Sequence, residues 1–222
     1  MRTLYHQWLC PFARKVRLAL REKKLDFELE EEPVWEAGDD FLALNPAGEV
    51  PVLVEPDGTA LADSVAICEY LEEAFRDPPL LPGDALARAE ARRLVAWFDH
   101  KMFREVTRPL TDEKVEKRLR MGGTPDSAAI RGALASIHSH LAYLGWLTER
   151  RRWLAGEELS LADLAAAGQV SVIDYLGDVP WDEHPAAKDW YVRLKSRPSF
   201  RPILADFVPG MAPARHYADL DF

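Results

Sequence analysis

Asn45-Pro46-Ala47-Gly48-Glu49-Val50-Pro51-Val52-Leu53, followed eight residues later by Leu61-Ala62-Asp63-Ser64, decides how this chain folds. The apolar run with a proline near its start predicts a short strand. Asp57-Gly58 predicts a tight hairpin turn, and Thr59 to Leu61 the return strand. Asp63-Ser64 then caps a helix reaching Phe75. Upstream, Arg2 to Gln7 predicts a first strand. Pro11 suits the first position of a helix, where a missing N–H costs nothing. Phe12, Val16, Leu18 and Leu20 follow helical spacing, with Arg and Lys on the other face. Leu25 to Val34 predicts a second strand, and the segment ending at Asn45 a short helix. The order is strand, helix, strand, helix, strand, strand, helix. Residues 1–77 are therefore expected to form a small α/β unit with a mixed sheet.

Residues 78–84, with Pro78, Pro79, Pro82 and Gly83, predict a linker. Beyond it the strand signals stop. Helices are expected over Ala85 to Thr107, Asp126 to Arg150, Leu161 to Leu176 and His184 to Lys195, making 85–207 all-α. Gly122-Gly123-Thr124-Pro125 separates the first two. Ser160-Leu161-Ala162-Asp163 fits a capping box, with Leu159 and Leu164 as its hydrophobic staple. Residues 208–222 leave the last helix through Val208-Pro209-Gly210 as an extended tail.

Bulk properties exclude several function classes. The chain has 222 residues, 48% hydrophobic, with a formal net charge of −9. An acidic chain has no long-range attraction to phosphate backbones, so no nucleic-acid partner is expected. No apolar run approaches the roughly 18 residues that span a bilayer, so no membrane insertion is expected. The opening residues do not form a secretory signal. Two cysteines make no disulfide framework, which points to a cytoplasmic setting. No metal site is assigned.

The candidate reactive group is Cys10, in Trp8-Leu9-Cys10-Pro11-Phe12-Ala13-Arg14-Lys15. A thiol just before a helix feels the positive end of the helix dipole, and Arg14 and Lys15 lie one turn on; both favour thiolate. The competing reading is a small packed residue, since Ala13 stands where a second cysteine of a C-x-x-C pair would be. Tyr5 falls inside the first strand, and Cys68 shares an apolar face with Leu71 and Phe75.

N-P-A-G-E-V-P-V-L, L-A-D-S and the later capping box together resemble the glutathione S-transferase superfamily over nearly the whole chain. The resemblance implies a thioredoxin-like N-terminal domain followed by an all-helical C-terminal one, and a homodimer. It implies a cis bond before Pro51, which turns the Val50 backbone toward the cysteinyl part of glutathione. It also implies that Asp63 and Ser64 hold the γ-glutamyl end. If the chain is an enzyme, it would be a glutathione transferase or thiol transferase with Cys10 as the catalytic nucleophile. One stretch departs from the family. The glycine carboxylate usually meets a base near the second helix, but Pro33 to Asp40 carries three acids and no base. Arg14 or a partner subunit would have to supply it.

Ala91 to Lys101, Glu113 to Leu119, Val172 to Trp181 and Lys195 to Asp206 resemble a narrower branch, the glutathione-transferase-like proteins that bind FtsZ in bacterial cell division. This implies FtsZ as partner, no required cofactor, and glutathione at most as a weak ligand or substrate. In the tail, Tyr217, Leu220 and Phe222 alternate with Asp219 and Asp221. Such an aromatic–acidic end either anchors a partner or folds back on its own domain; the resemblance favours the anchor. Lys114, Lys117, Arg118 and Arg120 form a basic cluster, read as either a solvated face or a docking patch. Trp97, Phe98 and Phe103 are divided between core and the cleft between domains.

Overall fold

The computed structural model describes residues 1–36, 38–220 and 222. The N-terminal unit is a four-stranded sheet in the order β2-β1-β3-β4. Strand β1 (Arg2–His6) runs parallel to β2 (Phe27–Glu31) and antiparallel to β3 (Val52–Val54), which pairs antiparallel with β4 (Ala60–Ala62). Leu4 at the centre faces Leu29 on one side and Leu53 on the other. Helices α1 (Pro11–Glu22) and α3 (Ser64–Ala74) pack on each other beside the sheet, and α2 (Asp39–Leu44) precedes β3. This is the small α/β unit with a mixed sheet expected from the strand and turn signals, and the thioredoxin-like domain that the resemblance implies.

The helical unit begins with α4 (Ala85–Ala96) and holds α6 (Ser127–Thr148), α7 (Leu161–Tyr175), α8 (Pro185–Lys195) and the short α9 (Arg201–Leu204). Every residue of α7 is buried, so it is the spine of the domain. Its capping box is present as the sequence predicts. The Ser160 hydroxyl accepts from Ala162 N, and Asp163 Oδ2 accepts from Ser160 N at 3.0 Å.

Two expectations are corrected. The first long helix does not end at Thr107. It continues through wide i→i+5 turns at Trp97–Thr107, the short α5 (Arg108–Thr111) and a second wide segment, Asp112–Met121. A proline inside a helix removes one hydrogen bond and displaces a carbonyl. The widened turns on both sides of Pro109 accommodate both, and the chain stops only at Gly122, whose φ of 63° is left-handed.

The second correction concerns α1. Arg14, Lys15 and Arg17 are buried instead of forming a solvated face. Helix α7 packs directly on α1, so closely that a Cβ on Gly168 would lie 2.4 Å from the Pro11 carbonyl oxygen. The cations survive burial because each has an acid partner. Asp206 pairs with Arg14 at 3.2 Å and with Arg17 at 2.7 Å, Asp99 pairs with Lys15, and Ser171 accepts from Arg14 at 3.0 Å.

Candidate functional site

A cleft of about 660 Å³ between the two domains brings Cys10, Val50, Pro51, Asp63 and Ser64 together on its wall. The Val50–Pro51 bond is cis. Cys10 is the N-cap of α1: its sulfur accepts from Ala13 N at 3.4 Å and lies 3.7 Å from the Val50 carbonyl oxygen.

Burial raises the pKa of the Cys10 thiol to about 11, overriding the opposing pull of the Ala13 and Phe12 amides and of Arg14 and Lys15. The expectation from the helix dipole is corrected by tertiary packing. The two nearby cations point into the domain interface, where Asp206 and Asp99 neutralise them. For the same reason Arg14 cannot serve a ligand carboxylate in the cleft. Cys68 is a core residue, its pKa also raised by burial, to about 12.

Asp63 caps α3 from a left-handed backbone conformation, φ 71°, which costs an aspartate about 1–2 kcal/mol. Its Oδ1 accepts from Val65 N at 2.7 Å and Ala66 N at 3.0 Å, so the first amides of α3 are already occupied by the protein's own carboxylate. Ser64 beside it is buried. On the far side, Asn45 is fully engaged, donating to the Glu49 carbonyl at 2.7 Å and accepting from Ala47 N at 3.1 Å. Glu49 itself lines the cleft.

His100, Phe103 and Arg108 complete the opposite wall. Nothing in the local sequence marks His100 or Arg108, because only the packing of the long helix brings them there. Of the three aromatics considered, Phe103 alone reaches the cleft, 4.7 Å edge-on from Phe12. Phe98 is core, and Trp97 packs on Tyr143 at 4.7 Å.

The tail is not extended. Tyr217 is fully buried, its hydroxyl donating to the Ile203 carbonyl at 3.1 Å and its ring 5.1 Å from Tyr175. Phe222 sits 5.3 Å from Trp181 and 5.2 Å from His216, beneath Lys195. The aromatic residues therefore close the helical domain, because rings this large gain most from burial. Tyr217 is accordingly not an accessible anchor. Asp219 is exposed and Leu220 half-exposed, while Asp221 lies outside the described residues.

The basic cluster is largely neutralised. Lys114 pairs with Asp178 at 2.5 Å, Lys117 with Glu113 at 2.7 Å and Arg120 with Glu116 at 2.7 Å. Arg118 is exposed and makes no ion pair among the described residues. Arg120 lies 3.5 Å over the Trp35 ring, and Leu119 reaches toward Gly210. The tip of the long helix thus meets both the 33–36 turn and the tail. Trp35, Leu119 and Met121 are exposed there, Trp35 at 51%, and Phe207, which precedes Gly210 in the tail, is exposed at 60%. Among the described residues, no helix is long and apolar enough to cross a membrane, and no group of three His, Cys, Asp or Glu side chains could hold a metal ion.

Residues 9–74 match the glutathione S-transferase N-terminal domain and residues 137–198 the C-terminal domain. FtsZ-localized protein A of Caulobacter vibrioides is 53% identical over 224 residues, covering all of this chain and 98% of that protein. The crystal structure of a glutathione S-transferase from Rhodospirillum rubrum F11 has a TM-score of 0.98 and 59% identity, with both chains fully covered. The structure of FzlA from C. crescentus has a TM-score of 0.96 and 53% identity, covering 100% of this chain and 99% of that one. Both domains, their order and the cleft between them make this chain a member of the glutathione S-transferase family.

Proposed function

We propose that this chain acts in bacterial cell division by binding FtsZ filaments, as a cytoplasmic homodimer in which glutathione chemistry is secondary. The observation that carries the reading is the 53% identity, over the whole chain, to FtsZ-localized protein A. The state of the cleft agrees with it. A thiol whose pKa is raised to about 11 is protonated at neutral pH, and the thiolate is the nucleophile. The wall that would meet a ligand's glycine carboxylate offers Glu49 instead of a base.

The surface best suited to FtsZ is the tip of the long helix. Trp35, Leu119 and Met121, with Phe207 just before the tail, provide exposed apolar area, and Arg118 provides a cation for an acidic partner. Co-sedimentation with GTP-assembled FtsZ from the same organism tests the reading. The wild-type chain is expected in the pellet, and a Trp35→Ala, Arg118→Glu double variant in the supernatant. A wild-type chain that stays soluble would overturn the proposal.

A second reading, a working glutathione transferase or thiol transferase using Cys10, is favoured by the cis Val50–Pro51 bond and the placement of Asp63 and Ser64 beside Cys10. Glutathione-dependent turnover that disappears in Cys10→Ala would establish it.

A further inference from the structure

We propose that His138 and His184 form an exchangeable binding site for a divalent transition-metal ion, Cu²⁺ above others, on the outer face of the helical domain. The site is separate from the inter-domain cleft and from the tip of the long helix, and depends on neither FtsZ nor glutathione.

The geometry of two imidazoles carries the inference. His138 lies on α6, and His184 is the N-cap of α8, 46 residues further on. The two helices pack so closely that a Cβ on Gly145 would lie 3.4 Å from the Ala186 Cβ. Both rings are half-buried at this seam, with centroids 5.2 Å apart. His138 Nδ1 faces His184 Nε2 at 3.1 Å. Two nitrogens bound to one ion at about 2.0–2.1 Å stand about 2.8–3.4 Å apart when the angle between them is square-planar or tetrahedral. The pair already has that bite, so neither helix has to move. In the metal-free pair one ring nitrogen carries a proton and donates it to the other. An ion placed between the two lone pairs takes the place of that proton. The donor ring then carries its proton on its other nitrogen, and both imidazoles stay neutral.

The surroundings leave the pair available. Although His184 occupies the N-cap position, its side chain makes no capping bond to α8. Burial and the facing His138 ring lower the His184 pKa, which keeps that ring in its neutral, ligating form at neutral pH. The exposed Glu183 places Oε2 3.7 Å from His138 Nδ1 and adds negative charge beside the nitrogens. A groove of about 220 Å³, lined by His184, Glu183, Gly145 and Glu149, gives room for water on an ion. Two protein ligands are fewer than a structural metal centre uses, so water completes the shell and the ion exchanges with solvent. Imidazole selects Cu, Ni and Zn, with affinity highest for Cu²⁺, whereas Mg²⁺ demands oxygen ligands.

The test titrates the full chain at neutral pH with Cu²⁺, Ni²⁺, Zn²⁺ and Mg²⁺ salts and records the electron paramagnetic resonance spectrum of the Cu²⁺ form. One Cu²⁺ should bind per chain, more tightly than Ni²⁺ or Zn²⁺, with hyperfine structure from two nitrogens, and Mg²⁺ should not bind. His138→Ala and His184→Ala should each weaken Cu²⁺ binding about tenfold or more. His100→Gln, which changes an imidazole in the cleft, should leave it unaltered. If His184→Ala fails to fold, His138→Gln, at a half-exposed helical position, gives the same readout. Cu²⁺ binding that is unchanged in the His138 variants would overturn the proposal, because the ion would then sit on other groups. So would Mg²⁺ binding as tightly as Cu²⁺, or no ion binding at all.

Discussion

Helix α1 has two sides that have been treated very differently. Against α7 it buries Arg14, Lys15 and Arg17 in a dense set of ion pairs and hydrogen bonds. Toward the cleft it presents a neutral, weakly hydrogen-bonded thiol at Cys10. The cations that would activate that thiol are one turn away in sequence, yet they hold the two domains together. Proximity in sequence says which groups are available; packing decides which of them act. In this chain the domain interface has taken the cations, and the cleft has been left without them.

The largest effect should come from breaking the interface side. Asp206→Ala leaves Arg14 buried without its carboxylate, and removing one partner of a buried pair costs about 3–5 kcal/mol. Urea unfolding should show that loss, with Arg17 released to solvent. A stability within 1 kcal/mol of wild type, on the same order as an exposed pair, would mean that the cluster is not what joins the domains.

Acid should act on the same side. His6 is buried near Arg17, and desolvation with that charge lowers its pKa to about 4. Because the folded value lies below the unfolded one, near 6.5, stability is full above pH 6.5 and falls as pH drops toward 4. The total change is on the order of 3 kcal/mol. Denaturation midpoints measured across that window should follow this slope, and His6→Gln should flatten it.

A smaller loss is expected where the backbones touch. Gly168→Ala places a methyl against the Pro11 carbonyl oxygen, and overpacking of this kind costs about 1–3 kcal/mol. Helices α1 and α7 would have to separate, which a lowered melting temperature reports.

The cleft side should respond least. Cys10→Ala removes one weak cap interaction and should cost about 1 kcal/mol or less. Alkylation of Cys10 by iodoacetamide should rise about tenfold per pH unit, with no plateau below about pH 10. A plateau near pH 7 would mean an activated thiolate and would restore the transferase reading.

Much of this was legible in the sequence where local chemistry settles the outcome. Pro11 opening α1, Asp57-Gly58 turning the hairpin, Asp63 capping α3 and Ser160 with Asp163 boxing α7 are all decided within a few residues. Val50, Pro51, Asp63 and Ser64 fall in one compact motif and Cys10 opens α1, and the fold brings all five to one cleft wall. What was hidden depends on distant partners. Arg14 and Asp206 are 192 residues apart, and nothing near Arg14 announces that it will be buried. The continuation of the long helix past Thr107 is hidden because the wide turns that carry the chain past Pro109 leave no compositional mark. The alternation of Tyr217 with acids leaves anchor and fold-back open, and it is the family resemblance that favours the anchor, whereas the Tyr175 ring that receives it lies in a helix well upstream.

Under the proposed function, the surface at the tip of the long helix does the binding and the Cys10 thiol is dispensable. Co-sedimentation with GTP-assembled FtsZ, run with Cys10→Ala beside Arg118→Glu, separates the two. Cys10→Ala should pellet like wild type, and Arg118→Glu should be retained in the supernatant. Loss of pelleting in Cys10→Ala, with Arg118→Glu unaffected, would contradict the proposal.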